Sequence, residues 1–516
     1  MADTKREIER KYELPVRAGG GADARPTLPD LTRVPGVASL FDQGVVELDA
    51  VYHDTADLRL AADKLTLRRR TGGADAGWHL KFPVSTGIRD EIQAPLADTV
   101  PDELAALLRS RLRGSALIPV VRLRSSREVT HLLDADGALL AEVSVDTVRA
   151  ERLTGMPGRV AAWAEVEVEL ADGGDPAILD AVEKKLRKGG LRPAAAPSKL
   201  SRALKETAPE GAADGSARHP VPVTAGDHVL AYVRAQADAI TAQDPAVRRD
   251  LPDAVHQMRV ATRRMRSAFR TYRRILDRSV TDPIADELKW LAGELGVDRD
   301  HEVLAERITA RLDALPGTLV LGPVRARVQI WNAAGSTDSR GATVAVLDGE
   351  RYLALLRSVD ALLADPPLRK GADVPPDQAL PKAILKDYGR LAARIEHALA
   401  LRPGGERDVA LHEARKAAKR ARYAGEAAKP VLGRPAKRFT DRMKAVQTVL
   451  GDHQDSVVAR EALRALAVKA HAAGETAFTW GLLYGQEEAQ AERRERELPV
   501  VWAEASDREG RAALAG

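Results

Sequence analysis

Two stretches of this chain carry the same basic side chains at the same spacing. His256 is followed by Arg259, Arg263, Arg264 and Arg266, and His412 by Arg415, Lys419, Arg420 and Arg422, so the offsets +3, +7, +8 and +10 occur twice. Successive residues of a helix turn by about 100°, which gathers His256, Arg259, Arg263 and Arg266 within roughly a quarter turn. Arg270 and Arg274 continue that face, and Lys416 and Tyr423 flank the second copy. Arg234 and Arg390 each lie 22 residues before their histidine, and Leu295-Gly296-x-x-x-Asp300 recurs as Leu450-Gly451-x-x-x-Asp455. The pattern is a divergent internal repeat of roughly 150 residues. A guanidinium donates two parallel hydrogen bonds to phosphate oxygens. Two such faces brought together would make a cationic groove for a ligand with repeating phosphates.

One basic helix face is ordinarily just a solvated face. Its duplication in register with a histidine argues for a shared ligand. The groups repeated around the histidines are bases, not carboxylates, which favours phosphate hydrogen bonding or orientation of a neighbouring base over metal ligation. Asp300 and Asp455 are expected to pair with arginines, because an isolated buried guanidinium is costly.

A different chemistry is written into the first 205 residues. Glu7-Ile8-Glu9-Arg10-Lys11 alternates, as a strand does, so that Glu7, Glu9 and Lys11 share a face. Arg68 and Arg70, Lys81, Arg122 and Arg124 give other strands a basic face, while Glu142, Ser144 and Asp146, and Glu165, Glu167 and Glu169, give acidic ones. Turns at Gly72-Gly73, Ala135-Asp136-Gly137 and Gly155 to Gly158 separate these runs, as in an antiparallel meander or barrel. Half-buried sheets also alternate, with charges facing water. Here some strands offer only acids and others only bases. Closed into a barrel, they would line a channel with an acidic cluster for cations and a basic cluster for phosphates.

The elements that must position these groups follow from composition and punctuation. Aromatic residues are 4 % of the chain and there is no cysteine, which excludes disulfides, thiolate metal sites and cysteine nucleophiles. The net charge of the 516 residues is +4, so basicity is local, against a protein that coats nucleic acid in bulk. The basic helices offer few stacking platforms for bases, which also disfavours a nucleic-acid partner. No apolar run reaches the roughly 20 residues of a membrane span, and MADTKREIERKYEL lacks a signal-peptide core. The expectation is a cytoplasmic protein without a membrane partner. The fold class expected is α+β multidomain: an antiparallel β-barrel over residues 1–205, a linker over 206–223 within Thr207 to Val223, and an all-α region over 224–510 in two halves, 224–364 and 382–510. Asp253 is expected to cap the basic helix. Ala364 to Pro381, with its five prolines, reads as the hinge between the halves. Helices are predicted over 281–315, 382–402, 408–429, 434–450, 454–473 and 476–496, and a loosely docked tail after Glu497.

The N-terminal motifs resemble the CYTH superfamily of triphosphate tunnel enzymes. Glu7, Glu9 and Lys11 form its E-x-E-x-K, Tyr52 to Thr55 its Y-x-D-T, Leu67 to Arg70 its L-R-x-R, and Trp78 to Lys81 its central lysine strand. Arg89 to Glu91 match R-x-E, Pro119 to Arg127 the basic strand, Glu165 to Glu169 the closing acidic strand, and Ser198-Lys199 a terminal S-K. The helical region resembles the CHAD domain on HQMRVATRRMRS, LGVDRD, LHEARKAAKRARY and LGDHQD. The first resemblance implies metal-dependent triphosphate hydrolysis, with inorganic tripolyphosphate as substrate and Mg²⁺, or Mn²⁺, as cofactor. Glu7 and Glu9, with Glu165 or Glu167, would hold the metal. Asp146, with Glu169, would serve a second metal or the attacking water. Lys11, Arg68, Arg70, Lys81, Lys199 and a base of the strand Pro119 to Arg127 would clamp phosphates. Arg124 is the best-placed base there, with Arg122 and Arg127 as alternatives. The second resemblance implies inorganic polyphosphate as ligand of the repeated basic faces, and with it an association with polyphosphate granules. The competing readings are a polyphosphate-targeting protein with an inert tunnel, and an enzyme acting on a nucleotide or thiamine triphosphate.

Overall fold

The computed structural model describes residues 3–13, 27–155, 158–209, 221–336 and 339–515. They fall into two compact units, Met1–His219 and Pro220–Gly516.

Among the described residues, unit one is built on nine strands: β1 (Asp3–Glu13), β2 (Ser39–Asp54), β3 (Thr66–Thr71), β4 (Gly77–Ser85), β5 (Ile88–Ala94), β6 (Ile118–Leu133), β7 (Leu139–Arg152), β8 (Val160–Leu170) and β9 (Arg192–Pro193). Neighbours run β5-β4-β3-β2-β6-β7-β8-β1, and β1 pairs again with β5. Residues 3–8 of β1 meet β5 and residues 9–12 meet β8, both antiparallel, so one strand closes an eight-stranded barrel. Short β9 hangs on the end of β1.

Closure turns the period-two alternation of each strand into inside and outside. Outside, Leu67, Trp78, Leu80 and Ile92 pack on Leu104 and Leu108 of α2 (Asp102–Leu112), which follows the single turn α1 (Arg59–Ala62). Val143, Val145, Val166 and Val168 likewise pack on Leu179, Val182 and Leu186 of α3 (Ala177–Lys188). Each such buried side chain contributes about 1.5–3 kcal/mol. The lumen itself is divided along its length. Toward one end Tyr52, Val121, Leu123, Val148 and Trp163 meet Leu200 and Ala203 of α4 (Lys199–Glu206), an apolar plug.

Unit two is helical: α5 (Ala225–Arg248), α6 (Ala254–Thr271), α7 (Arg278–Glu294), α8 (Val297–Asp313), α9 (Val324–Ser336), α10 (Ser339–Asp348), α11 (Glu350–Ala364), α12 (Pro376–Ala400), α13 (Gly405–Leu432), α14 (Arg434–Ala472), α15 (Phe478–Ala505) and α16 (Arg508–Ala515). α13 is buried along an alanine stripe, Ala410, Ala414, Ala417, Ala418, Ala421, Ala424 and Ala428, whose small side chains let neighbours approach closely. A second cluster joins Ile308, Leu312 and Val328 to Leu463, Leu466 and Trp480, tying α8 and α9 to the far end of α14 and the start of α15.

Several expectations change here. The Leu-Gly repeat separates α7 from α8 in the first copy, but α14 runs unbroken through Leu450 and Gly451 in the second. Asp253 stands at the start of α6 with φ of +64°, but its carboxylate accepts from Gln257 Nε2 at 2.6 Å instead of from a backbone N–H, so its side chain does not cap the helix. Side-chain caps are found at α5, where Thr224 and Asp227 form a reciprocal capping box, and at α7, where Asp277 accepts from Ser279 N–H at 2.9 Å. The proline-rich connection is stitched to the first half instead of hinging freely: Arg369 N–H donates to Ile275 O at 2.8 Å and Gly226 N–H to Ala372 O at 2.9 Å. The C-terminal tail is packed, with Leu498, Ala505 and Leu514 buried. Of the expected linker, residues 210–220 lie outside the described residues. No helix among the described residues is long and apolar enough to cross a membrane.

Candidate functional site

The barrel encloses a cavity of about 300 Å³ lined by eight basic and eight acidic side chains. β1 supplies Lys5, Glu7, Glu9 and Lys11; β3, Arg68 and Arg70; β4, Lys81; β5, Arg89 and Glu91; β6, Arg127; β7, Glu142; β8, Glu167 and Glu169; and α4, Lys199. The E-x-E-x-K alternation therefore does place Glu7, Glu9 and Lys11 on one inner face.

Two charge clusters meet at the cavity; in the first, Glu167, Lys199 and Arg127 line it, while Asp146 and Glu165 are buried and not among its lining residues. On the β7–β8 side, carboxylate oxygens of Asp146, Glu165 and Glu167 lie within 4.8 Å of one another, all buried. Lys199 Nζ stands among them, 2.9 Å from Asp146, 2.9 Å from Glu165 and 2.5 Å from Glu167. Arg127 donates to Asp146 through Nε and Nη2, each at 2.8 Å, and through Nη2 to Glu167 at 2.6 Å. Lys11 donates to Glu9 at 2.9 Å and also to Glu167. Trp163 Nε1 fixes Glu165 at 2.7 Å. Burial opposes the charged form of Asp146 and Glu167. The surrounding Lys199, Arg127 and, for Glu167, Lys11 outweigh it and hold both carboxyls below their usual range.

On the β1–β4–β5 side, Lys81 Nζ donates to Glu7 at 2.5 Å and lies 3.3 Å from Glu91. His79 Nδ1 shares a 3.0 Å bond with Glu91, and Arg68 stands 3.7 Å away. Burial, with Glu91 beside it, pushes the Glu7 carboxyl up to about 7 in spite of Lys81. Glu91 is also buried, but His79, Lys81 and Arg68 drive it well below the ordinary carboxylate range. Burial and the charges of Arg68 and Arg127 bring Arg70 down to about 9. Glu9 is shared by Lys11 and Arg89, and Glu169 by Lys5.

One placement corrects the sequence reading, and two add to it. Arg122 and Arg124 are not in the cavity; they lie on the outer face of β6, where both reach Asp49, at 2.5 Å and 3.7 Å. Opposite parity puts Arg127 inside. The reason is the plug: at the level of Leu123 the lumen is apolar, so the leucine faces in and the arginines out. Glu91, quoted in the R-x-E motif but not given a role, is the acid that organises the second cluster. Within Y-x-D-T, Tyr52 faces the cavity, whereas Asp54 accepts backbone N–H bonds from Thr55, Leu60 and Ala61 at 2.7–2.9 Å and builds the turn into α1.

In the helical unit the two repeated faces do meet. Tyr272 at the end of α6 donates to Ala424 O of α13 at 3.1 Å, and Arg264 of α6 to Glu426 of α13 at 2.9 Å. Glu426 also holds Arg422 at 3.2 Å, and both guanidiniums lie over Tyr423. Asp387 on α12 takes Arg390 at 2.8 Å, Arg420 at 3.1 Å and the Thr271 hydroxyl at 2.6 Å. Arg415 reaches Asp455 at 3.5 Å, and Lys416 pairs with Glu413. The side chain of Asp300 lies outside the described residues. Arg234, Arg266, Arg270 and Lys419 form no ion pair among the described residues. His256 is exposed, and His412 Nδ1 shares a 2.8 Å bond with Gln454 Oε1.

The Leu-Gly repeat has a packing reason in its first copy. A Cβ on Gly296 would come within 2.6 Å of Arg259 Nη2, and one on Gly451 within 3.5 Å of Arg415 Nη2. In the first copy the glycine gives the +3 arginine room to lie across the adjoining helix; in the second a Cβ would make only ordinary contact with Arg415. A cluster of Asp408, His453 and Glu495 also has metal-like spacing, with Arg460 and Arg407 paired to its two acids.

The CYTH domain family matches residues 5–202 and the CHAD domain family residues 231–464. Two uncharacterised proteins of Mycobacterium tuberculosis, from strains CDC 1551 and H37Rv, are each 38% identical over 513 residues, 96% of this chain and 95% of theirs. Among solved structures, PptA from Streptomyces chartreusis is 23% identical, covering 55% of this chain and 100% of its own, with a TM-score of 0.47. The CHAD domain from the plant Ricinus communis is 23% identical over 54% of this chain and 91% of its own, with a TM-score of 0.44. A putative adenylyl cyclase from Hippeastrum, described as having a dominant triphosphatase activity, is 17% identical over 39% and 95%, with a TM-score of 0.21.

Proposed function

Because the chain belongs to the family that joins a CYTH domain to a CHAD domain, we propose that its tunnel hydrolyses inorganic tripolyphosphate with Mg²⁺ and that its helical unit binds inorganic polyphosphate. The observation that carries the tunnel reading is the balance of charge in an enclosed cavity, eight bases against eight acids. A cavity for an anion alone would be basic throughout, since each carboxylate would repel the ligand. A balanced one fits a polyanion that arrives with divalent cations.

The donor set fits such an ion. Asp146, Glu165 and Glu167 offer hard oxygens close together, and Lys199 and Arg127 now supply the positive charge among them. Bound Mg²⁺ would polarise phosphoryl oxygens and neutralise their charge. The chain's own residues do the rest. Lys11, Arg68, Arg70, Lys81, Arg127 and Lys199 surround the cavity and would grip phosphate oxygens from several sides. Phosphoryl transfer needs mainly alignment and charge stabilisation, which such a fixed ring supplies. Glu7 and Glu9 stand on the same wall as Lys11 and would complete the acidic side. The apolar plug at Leu123 and α4 closes one end of the polar lumen, so a short linear phosphate fits the space better than a ligand carrying a large base.

The test is phosphate release from tripolyphosphate with Mg²⁺, beside ATP and thiamine triphosphate. Release from tripolyphosphate, abolished by chelator and by Glu9→Ala, is the expected result. Full Mg²⁺-dependent turnover by Glu9→Ala would remove Glu9 from the metal's ligands, and by Glu167→Gln would overturn the donor set. Release confined to ATP or thiamine triphosphate would replace the substrate. No release, with polyphosphate binding retained, would leave a protein that docks on polyphosphate.

A further inference from the structure

We infer that Lys419 makes phosphate-chain binding by the helical unit depend on proton uptake, so that affinity falls as pH rises through the neutral range. The inference rests on the polyphosphate reading of this face and adds its regulation.

Lys419 occupies the +7 position of the second repeat, where the first copy has Arg263. An arginine there stays charged at any physiological pH; a lysine does not have to. Lys419 is half-buried and makes no ion pair among the described residues. The charges around it are mostly of its own sign. Arg415 and Arg422 stand beside it on α13, and Arg263 faces it from α6. From α14 the acid is Asp455, and that carboxylate is already shared with Arg415 at 3.5 Å. The α12 charges, Asp387, Arg390 and Arg394, turn to Arg420 instead, and α5 presents Tyr232 toward Glu426 and Tyr423. Burial, then Arg415 and Arg263, bring the Lys419 ammonium down to about 7.

The sign follows. Above pH 7 the free protein holds Lys419 largely neutral. A phosphate chain laid over the four bases replaces repulsion with attraction and restores the ammonium. Binding then takes up a proton, and the affinity declines with pH by up to about tenfold per pH unit until the bound-state value is reached. An arginine at the same place would already be charged and would show no such decline.

The experiment is calorimetric titration of the full-length protein with inorganic polyphosphate of defined length, in EDTA so that the tunnel cannot turn it over. It is run at pH 8 in HEPES and in Tris, whose ionisation enthalpies differ. The expected result is a heat that differs between buffers, reporting up to about one proton taken up per site, with affinity about tenfold weaker at pH 8.5 than at pH 7.5. In Lys419→Arg that difference is lost. Titration of the terminal phosphates is common to both proteins and cancels between them. Tight binding by the wild-type protein with buffer-independent heat would overturn the inference alone, as would equal uptake in Lys419→Arg. Absence of binding at pH 6 by the wild-type protein would overturn the polyphosphate reading itself.

Discussion

The tunnel and the paired helices both concentrate arginine and lysine, yet they treat acids in opposite ways. In the tunnel every inner wall that carries bases also faces acids, and no cation stands alone: Lys199 touches three carboxylates, and Arg127 and Lys11 touch two each. On the repeated faces of the helical unit, Asp387 and Glu426 each hold two arginines, Asp455 takes Arg415 and Glu413 takes Lys416, while Arg234, Arg266, Arg270 and Lys419 form no ion pair among the described residues. A fully paired lattice suits a metal–phosphate complex and chemistry on it. A face that keeps unpaired bases suits a chain that binds and leaves unchanged.

The largest effect expected from this contrast is in the tunnel. Glu167→Gln should lower tripolyphosphate turnover by about 10²–10³-fold while leaving polyphosphate binding by the helices intact. Steady-state rates and calorimetry on the same preparation check both halves. Comparable loss of both functions would break the division of labour. Next comes a pair on one strand. Arg127→Ala should reduce kcat/KM by about 10²-fold, and Arg124→Ala, on the outer face, should change it by no more than about twofold. Equal effects would place the sixth strand's base wrongly. A smaller effect is expected for Arg266→Ala with Arg270→Ala. Polyphosphate affinity should fall by about tenfold or more, with a shallower salt dependence, since phosphate contacts act through counterion release; tripolyphosphate turnover should not move.

The smallest effects distinguish the two repeat copies. Gly451 lies inside α14 with ordinary contact distance to Arg415, so Gly451→Ala should stabilise by up to about 1 kcal/mol through helix propensity. Gly296 has Arg259 Nη2 at 2.6 Å and Ala292 O at 2.9 Å from an added Cβ. Gly296→Ala should therefore destabilise by about 1–3 kcal/mol, the range for overpacking. Thermal unfolding midpoints moving in opposite directions are the readout; a shared direction would mean that the glycines do not serve the arginines differently.

Much of this was legible in the sequence, for physical reasons that also set the limit. Alternation along β1 and β3 carried the inner faces because those strands are polar inside along their whole length, and along β8 from Glu165 to Glu169, beyond Trp163 of the plug. β6 misleads because it crosses from the apolar plug to the polar cavity. Val121-Arg122-Leu123-Arg124 looks like a basic inner face, yet the leucine is the inner residue; only the position of α4, far along the chain, decides it. The repeat was readable from offsets alone, since a basic face in register needs no tertiary knowledge. The unbroken α14 was not, because a glycine at Leu450-Gly451 signals a break locally. Asp253 has the composition of a cap but a left-handed backbone, which no residue type announces. Which arginines are tied and which are open depended on Asp387 and Glu426, acids with no counterpart in the first copy, where Ala231 and Arg270 stand.

The central claim is that the tunnel is the catalytic half, and the initial rate of phosphate release from tripolyphosphate with and without Mg²⁺ tests it most directly. The account predicts release that requires the metal, stops with chelator and is lost in Glu167→Gln. Metal-independent release, or none from a preparation that still binds polyphosphate tightly, would contradict it.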